Sequence, residues 1–236
     1  MPFHKCLIIV PTHNVVKSIE QLSKEILGVL RDTEVLFVDS ASSDGTFGLL
    51  DTLADNESNI HSIQHESGSC LGSAYLRGFE WGLHRNFDYL VTMSSGGEHH
   101  PRYLTTLLNT CIAGADVAVA SRFVKGGGTK GGGGARKLLS KSAGLYSRRI
   151  LGVDVKDMAS GFTCWSRVAL KTIDLANVRS DGYGFHIEMK YRAFVRKLSL
   201  KEVPVIFERR VNKRQVLNQT LVVDAFVRLL QLRLGK

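Results

Sequence analysis

The sequence predicts an α/β fold in which a mostly parallel sheet is covered by helices on both faces. Short apolar runs alternate with amphipathic segments through the first half of the chain. Each apolar run has the length of a buried strand and stops at a polar or glycine-containing turn. The 236 residues contain no internal repeat, so we expect one domain over residues 1–236.

The first half repeats a strand–helix unit. The first strand stops at Pro11, and apolar residues then recur at helical spacing, as at Ile19, Leu22 and Ile26. Small residues at positions 72, 74 and 78 would let the third helix pack closely on the sheet, and Pro101 suits the first turn of the fourth. We expect strands over residues 5–10, 34–38, 60–64, 89–93 and 116–120, and helices over residues 16–30, 46–54, 71–84 and from 101.

The pattern changes after Phe123. Residues 125–136 contain so many glycines that we expect a mobile loop, either a plain linker or a lid over an anionic ligand. Pro204 cannot donate to a strand ladder, which favours an edge position for the last strand. We expect helices over residues 138–151, 185–197 and 221–234, and strands over residues 161–166 and 200–207.

The composition limits the possible partners and compartments. A net charge of +9 predicts an anionic partner, such as nucleic acid, anionic lipid or a sugar nucleotide. Basic and aromatic residues are not interleaved, which argues against nucleic acid. No apolar run reaches the ~20 residues that span a bilayer. The four cysteines have no paired spacing, so we expect reduced, mostly buried thiols in a cytosolic protein.

Polar residues that directly follow the predicted strands are the candidates for a binding site. In parallel α/β sheets, ligands bind at the carboxyl ends of the strands. Asp39 directly follows a buried run, and its carboxylate could accept hydrogen bonds from a base or a ribose. The candidates for contacts with such a ligand are Pro11, Thr12, Asn14, Asp39, Ser40, Ser94 and Gly96.

Residues 91–101 are the most informative part of this edge. They indicate the end of a strand, a tight glycine-rich loop and a helix that begins at a proline. A protein that handles nucleotide phosphates would place metal-binding carboxylates here. Ser94, Ser95 and Gly96 lie where acidic residues are expected, and Glu98 is the carboxylate that remains.

Several motifs in order along the chain resemble those of family 2 glycosyltransferases, which have the GT-A fold. The turns at residues 11–14 and 39–46 are similar to the nucleotide-binding half of that family, here about residues 1–123. Later motifs are similar to the dolichol-phosphate mannosyltransferase branch, in an acceptor-side half over about residues 124–236. The matching motifs occupy residues 71–79, 93–101, 120–123, 126–128, 159–162, 182–188 and 202–205.

The resemblance implies transfer of a hexose, mannose above all, from a sugar nucleotide of the GDP-mannose or UDP-glucose type to a polyprenyl phosphate, with inversion. It also implies a divalent cation, magnesium or manganese, on an Asp-x-Asp pair that bridges to the diphosphate. Here Ser94 and Gly96 occupy the two Asp positions. Glu98 could still bind a cation, although a lone carboxylate is a weak site.

The resemblance also implies roles for residues outside that loop. By position, Arg122, Arg136 and Arg210 correspond to phosphate ligands, and bidentate arginine contacts suit phosphate. Asp157 could contact the sugar hydroxyls or cap a turn. Glu188 could act on the sugar or acceptor side or belong to a buried ion pair.

Two hypotheses for the whole chain follow. The first is a glycosyltransferase whose activity is reduced or independent of a metal, and the second is a catalytically inactive relative that acts as a binding or partner subunit. The segment 221–234 is more apolar than one helix face requires, which suits either a membrane interface or core packing. We therefore expect a cytoplasmic protein, peripheral on the cytosolic face of a membrane or bound to a membrane-anchored partner.

Overall fold

A computed structural model describes residues 4–65, 70–130 and 149–208. The predicted helix 221–234, most of the predicted helix 138–151, and the candidates Arg136 and Arg210 lie outside these ranges. The strands are β1 Cys6–Thr12, β2 Glu34–Ser40, β3 Ile60–His65, β4 Tyr89–Thr92, β5 Val117–Ser121, β6 Gly128–Lys130, β7 Thr163–Ser166, β8 Leu200–Pro204 and β9 Ile206–Glu208. The helices are α1 Val16–Val29, α2 Thr46–Asn56, α3 Leu71–His84, α4 Leu104–Ile112, α5 Arg167–Thr172 and α6 Gly182–Val195, with short 3-10 turns at Pro101–Tyr103 and Leu175–Asn177.

The main sheet has seven strands in the order β3-β2-β1-β4-β7-β5-β8. All neighbouring pairs are parallel except those of β7, which runs antiparallel to both β4 and β5. The carboxyl ends of β1, β2, β4 and β5 therefore meet at one edge of the sheet, and β7 brings the loop before residue 163 to the same edge. The mostly parallel sheet that the sequence predicts is confirmed.

Helices cover both faces of this sheet because successive side chains of each buried strand point to opposite faces. Leu7 and Ile9 belong to a core on one face, which includes residues of α3, α5 and α6. Ile8 and Val10 belong to a core on the other face, together with residues of α1, α2 and α4. The sheet is thus buried on both faces, which explains why its central strands are continuous apolar runs.

Helix α3 packs closely on the sheet, as its small residues predict. A Cβ atom at Gly78 would lie 2.4 Å from the Cγ2 atom of Ile9, and one at Gly82 would lie 2.5 Å from Cδ2 of Leu90. Both glycines are buried. Ala74, one turn before Gly78, is fully buried in the same core.

The prediction of a mobile loop over residues 125–136 is wrong in its first part. Gly128–Lys130 form β6, which pairs in parallel with β9 in a separate two-stranded sheet. Composition misses this strand because its hydrogen-bond partners lie about 77 residues later in the chain, as when Gly128 N–H donates to the Val205 carbonyl at 2.8 Å. A Cβ atom at Gly127 would lie 2.4 Å from the Ser121 carbonyl oxygen, so glycine is required at this close approach.

The single strand predicted over residues 200–207 is two strands. The chain passes from β8 in the main sheet to β9 in the small sheet at Val205, whose N–H donates to the Ser121 carbonyl at 3.0 Å. Strand β8 is the last in the sheet order, which confirms the edge position that Pro204 predicts. Within the described residues, no helix is both long enough and apolar enough to cross a membrane.

Candidate functional site

A hydrogen-bond network joins the carboxyl ends of β1 and β2. The carboxylate of Asp39 is fully buried, and its Oδ1 accepts from the hydroxyls of Thr12 at 2.9 Å and Ser42 at 2.6 Å. Its Oδ2 accepts from the Ser42 backbone N–H at 3.0 Å. Asp39 therefore fixes the conformation of both turns, and a direct contact of its carboxylate with a nucleotide stays a prediction.

The turn after β1 is bound to the turn after β2. Asn14 has a positive φ of 52°, its N–H donates to the Ser42 hydroxyl at 2.8 Å, and its Oδ1 accepts from the Ser43 N–H at 2.9 Å. The Ser40 carbonyl accepts from Nδ1 of His13 at 2.8 Å, so this ring nitrogen carries the proton. The structure thus brings the nucleotide-side candidates together at one edge of the sheet, where Thr12 and Asp39 are buried, Ser40 is half-buried and Asn14 is exposed.

The loop from Ser94 to His99 closes on itself beside the end of β1. The Ser94 N–H donates to Nδ1 of His99 at 3.0 Å, and the Ser94 hydroxyl accepts from the Gly96 N–H at 3.1 Å. The Ser95 hydroxyl donates to the Pro11 carbonyl at 2.8 Å, which attaches the loop to β1. The candidates Pro11, Ser94 and Gly96 therefore lie at the same edge as Thr12 and Asn14.

The carboxylate of Glu98 lies against the α-carbon side of Gly96. Its Oε1 accepts from the Ser94 hydroxyl at 3.1 Å. A Cβ atom at Gly96 would lie 2.5 Å from Oε2 of Glu98, so this carboxylate fills the space that a side chain at position 96 would take. Glycine at 96 and glutamate at 98 are in this sense complementary.

The donor set of this loop is small. One carboxylate and one hydroxyl face each other, and the described residues contain no group of three or more His, Cys, Asp or Glu side chains that could hold a metal ion. Magnesium-type cations are commonly held by one or two carboxylates together with substrate phosphates. The loop is therefore too poor in donors to hold such a cation without further ligands from a bound phosphate.

Arg122 and Asp157 form a bidentate pair at the carboxyl end of β5. Nε and Nη2 of Arg122 donate to the two carboxylate oxygens of Asp157, each at 2.7 Å, and the Arg122 backbone N–H donates to Oδ2 at 3.0 Å. The Asp157 side chain is 1% exposed and that of Arg122 is 19% exposed. The guanidinium also lies 5.1 Å from the ring centroids of Phe123 and Phe207. Asp157 thus orients the candidate phosphate ligand.

Glu188 belongs to a separate buried ion pair on α6. Its carboxylate accepts from Nε of Arg192 at 2.8 Å and from the Ser180 backbone N–H at 2.8 Å. The Arg179 N–H points to the same carboxylate at 3.3 Å. Its hydrogen bonds within the described chain all go to residues 179, 180 and 192, and a role on the sugar or acceptor side stays a prediction.

Three basic side chains, His99, His186 and Lys190, are buried, which the sequence does not indicate. His99 lies flat against Phe162, with ring centroids 4.9 Å apart, and burial together with the charge of Arg122 lowers its pKa to about 3. It is therefore neutral and holds the Ser94 loop as an acceptor. His186 and Lys190 on α6 are also buried, and burial lowers the pKa of each. Apolar neighbours on a helix do not distinguish a buried lysine from a surface one, so no local signal indicates Lys190.

The cysteines agree with the expectation of reduced, mostly buried thiols. Cys6, Cys111 and Cys164 are buried and Cys70 is exposed, and all four are free. Burial raises the pKa of Cys6 to about 12, which makes it unreactive.

Three similar curated proteins are named for mannose transfer and for polyprenol or dolichol phosphate. The chain is 39% identical over 210 residues to polyprenol monophosphomannose synthase of Mycolicibacterium smegmatis, covering 89% of this chain and 79% of that protein. It is 34% identical to undecaprenyl-phosphate mannosyltransferase of Micrococcus luteus, covering 94% and 91% of the two chains. It is 30% identical to dolichol-phosphate mannosyltransferase of Pyrococcus furiosus, covering 86% of this chain and 56% of that one.

Solved structures support the fold. Glucosyl-3-phosphoglycerate synthase from Mycobacterium tuberculosis, in complex with Mn²⁺, uridine diphosphate and glucosyl-3-phosphoglycerate, has a TM-score of 0.72 at 18% identity and covers 98% of this chain and 80% of that one. At this identity the likeness shows the fold alone, which is the GT-A fold that the motifs imply. The model of the family described as Glycosyl transferase family 2 matches residues 7–174. Together with the curated relatives, this match places the chain in glycosyltransferase family 2.

Proposed function

We propose that this protein transfers mannose from a sugar nucleotide to a polyprenyl phosphate with inversion at the sugar carbon. The observation that carries the proposal is the similarity to two mannosyltransferases over most of both chains, at 39% and 34% identity. Their names specify a polyprenol and an undecaprenyl phosphate as acceptor lipids. The membrane location of such acceptors supports action at the cytosolic face of a membrane.

The residues at the strand ends suit the donor half of this reaction. The turns that Asp39 and Asn14 bind together present backbone groups at the edge where nucleotides bind in α/β sheets. Arg122 lies at the end of β5 with its guanidinium oriented by Asp157, so it can face the diphosphate of a sugar nucleotide. Bidentate arginine contacts match phosphate oxygens well.

The chemistry requires little from a general base. A polyprenyl phosphate is already an anionic nucleophile, so the main requirement is stabilisation of the departing diphosphate. A divalent cation, when bound, would supply charge stabilisation there. Glu98 and Ser94 would hold the protein side of such a cation, and Arg122 supplies positive charge from the protein itself.

A catalytically inactive binding subunit is the second candidate function. Ser94 and Gly96 favour it, because the two carboxylates of an Asp-x-Asp pair are missing. Glu98 and the strand-end turns favour the enzyme, since the loop offers one carboxylate and the hydrogen bonds of Asp39 hold the turns together.

A transfer assay separates the two. Purified protein is incubated with GDP-mannose or UDP-glucose and a short polyprenyl phosphate, with manganese or with EDTA, and binding of each donor is measured in parallel by calorimetry. We expect transfer from GDP-mannose that manganese increases. Donor binding without transfer under every condition would exclude the enzyme and support the inactive binding subunit.

Glu98→Gln tests the carboxylate itself. Glutamine keeps the shape of the side chain but is a poorer cation ligand. We therefore expect that manganese no longer increases the rate of mannose transfer in this variant. Glu57→Gln is the matched control, because Glu57 is an exposed carboxylate on the surface after α2. A manganese response that is equal in the Glu98 and Glu57 variants would remove Glu98 from the proposed cation site.

A further inference from the structure

Lys190 is a fully buried lysine whose ammonium group is surrounded by backbone carbonyls. It lies on α6 and is 1% exposed. Its Nζ donates to the carbonyls of Ser160 at 2.7 Å, Met158 at 3.1 Å and His186 at 3.2 Å. An ammonium group has three donors, so the three carbonyls match its full capacity. Burying a charge is costly without such partners, and this arrangement satisfies it.

The loop that Lys190 binds is also held by a second charged side chain. Glu202 on β8 accepts from the N–H of Lys156 at 2.9 Å and from the N–H of Asp157 at 3.0 Å. Glu202 therefore binds N–H groups at the start of the loop, and Lys190 binds carbonyl groups at residues 158 and 160. A glutamate and a lysine on two different elements thus fix the backbone of residues 156–160.

Asp157 lies between these two anchors and determines where Arg122 points. Its carboxylate binds the backbone N–H of Arg122 and two nitrogens of the guanidinium. A shift of the loop would move Asp157, and because a bidentate pair depends on geometry it would also move the guanidinium. Lys190 is thereby connected to the strand-end site through two steps of direct contact.

We propose that Lys190 is a positioning residue for sugar transfer, which holds the loop of residues 156–160 and, through Asp157, sets the orientation of Arg122 toward the donor diphosphate. The part of this inference that concerns the donor diphosphate rests on the proposed function. The contact between Lys190 and the loop does not depend on that function.

Protonation of Lys190 controls this contact near neutral pH. Burial lowers its pKa to about 7, an effect that Asp157 and Glu202 oppose and that Arg122 increases. His186, on the same helix, is also buried, and its pKa is well below the ordinary value. A neutral amine has two N–H donors for three carbonyls. The loop is therefore held fully below pH 7 and loses one contact as the pH rises through 7.

The first test measures the loop without any substrate. Hydrogen exchange of peptides that cover residues 156–160 is compared, after correction for intrinsic rates, at pH 6 and pH 8.5. We expect wild-type protection to fall about three- to tenfold between these pH values, which corresponds to one hydrogen bond. Lys190→Met should show low protection at both values. Lys171→Met, which removes an exposed lysine, should behave as wild type.

The second test measures donor binding. Calorimetric titration with GDP-mannose, whose diphosphate does not titrate in this range, should give a dissociation constant that rises about three- to tenfold from pH 6 to 8.5 in wild type. The same rise should occur in Lys171→Met and be absent in Lys190→Met. Loop protection that changes with pH in a protein that binds no sugar nucleotide would count against the proposed function while supporting the role of Lys190 in the loop.

Two results would overturn the inference. One is equal loop protection in wild type and Lys190→Met at both pH values. The other is an unchanged pH dependence of donor binding in that variant. Should Lys190→Met fail to fold by circular dichroism, Lys190→Gln, which keeps two N–H donors without the charge, replaces it. If neither variant folds, wild-type loop protection that does not change between pH 6 and pH 8.5 is sufficient to reject the proposal.

Discussion

Glu98 and Gly96 show how a single side chain changes what a loop can bind. The glutamate carboxylate occupies the space beside the α-carbon of Gly96, within 2.5 Å of where a Cβ atom would lie. An aspartate at position 96 could be accommodated only if Glu98 moved. Restoring carboxylates at positions 94 and 96 therefore requires the Glu98 carboxylate, which is the end of a flexible side chain, to move aside.

We predict that Ser94→Asp/Gly96→Asp lowers the melting temperature without added cation, by about 2–4 °C, because three carboxylates repel one another in one turn. Adding Glu98→Gln to this double variant removes one of the charges and should recover most of the loss. Manganese at millimolar concentration should stabilise the double variant more than wild type. Thermal melting by circular dichroism, with EDTA or with manganese, checks this. Equal melting of the double and triple variants in EDTA would contradict it.

His99 makes the stability of the loop sensitive to acid. Its pKa in the folded protein is about 3, against an ordinary value of 6.5, mainly because of burial. Between these values the unfolded chain binds a proton that the folded protein does not, so the free energy of unfolding falls as the pH falls from 6.5 toward 3. The size of this effect is about 1.4 kcal/mol per pH unit for one group.

We predict that His99→Asn is less stable than wild type at pH 7 but loses less stability between pH 6 and pH 4. Asparagine can still accept the Ser94 N–H, but it does not titrate and it leaves space against Phe162. Burial also lowers the pKa of His186, which keeps its own contribution in this variant, so the slope should fall without reaching zero. Urea unfolding at each pH is the measurement. His84→Gln, which changes an exposed histidine, should leave the slope unchanged.

At the scale of elements, the sequence pattern predicts the helices and strands that depend on contacts between residues close in the chain. The four strand–helix units and the fifth strand up to residue 121 follow the predicted order, because each central strand is buried on both faces and therefore continuously apolar. Strand β7 lies antiparallel between β4 and β5, and its order in the sheet could not be predicted because its partners lie more than 40 residues away. The pairing of β6 with β9 was missed for the same reason.

The close packing of α3 on β1 gives a test at this scale. We predict that Gly78→Ala destabilises the fold by about 1–3 kcal/mol, because its Cβ atom would lie 2.4 Å from Ile9 in a core that cannot expand freely. Gly28→Ala is the matched control, since Gly28 is exposed near the end of α1 with nothing within 4 Å of an added Cβ atom. There alanine should stabilise by about 0.5–1 kcal/mol through helix propensity. Chemical unfolding measures both. If Gly78→Ala lowers the free energy of unfolding by less than an average surface substitution does, β1 can move aside to accommodate the methyl group.

For the whole molecule, the location of the site was more predictable than its chemistry. Thr12, Asn14, Asp39 and Arg122 lie at the carboxyl edge of the sheet because topology alone brings strand ends together. The partners of each side chain were not predictable. Asp39 accepts from the Thr12 hydroxyl, 27 positions earlier, and Asp157 binds Arg122, 35 positions earlier, so both contacts depend on the tertiary fold.

The net charge of +9 gives the last prediction, which concerns the membrane. Each basic residue near an anionic surface contributes about 1 kcal/mol of attraction at low salt. We predict that the protein cosediments with vesicles that contain anionic lipid at ~50 mM salt, and much less with zwitterionic vesicles. Raising the salt to ~300 mM should remove binding that rests on charge alone.

The apolar segment 221–234 would add a fraction of binding that resists salt. Phe226→Glu/Leu230→Glu should abolish this fraction, because a charged residue is disfavoured at the acyl boundary. Val195→Glu is the matched control, since Val195 is an apolar residue of α6 that is 54% exposed. If binding at ~300 mM salt persists in the double variant, the segment does not insert. If it is lost equally in Val195→Glu, the contact with the membrane is made by another surface of the protein.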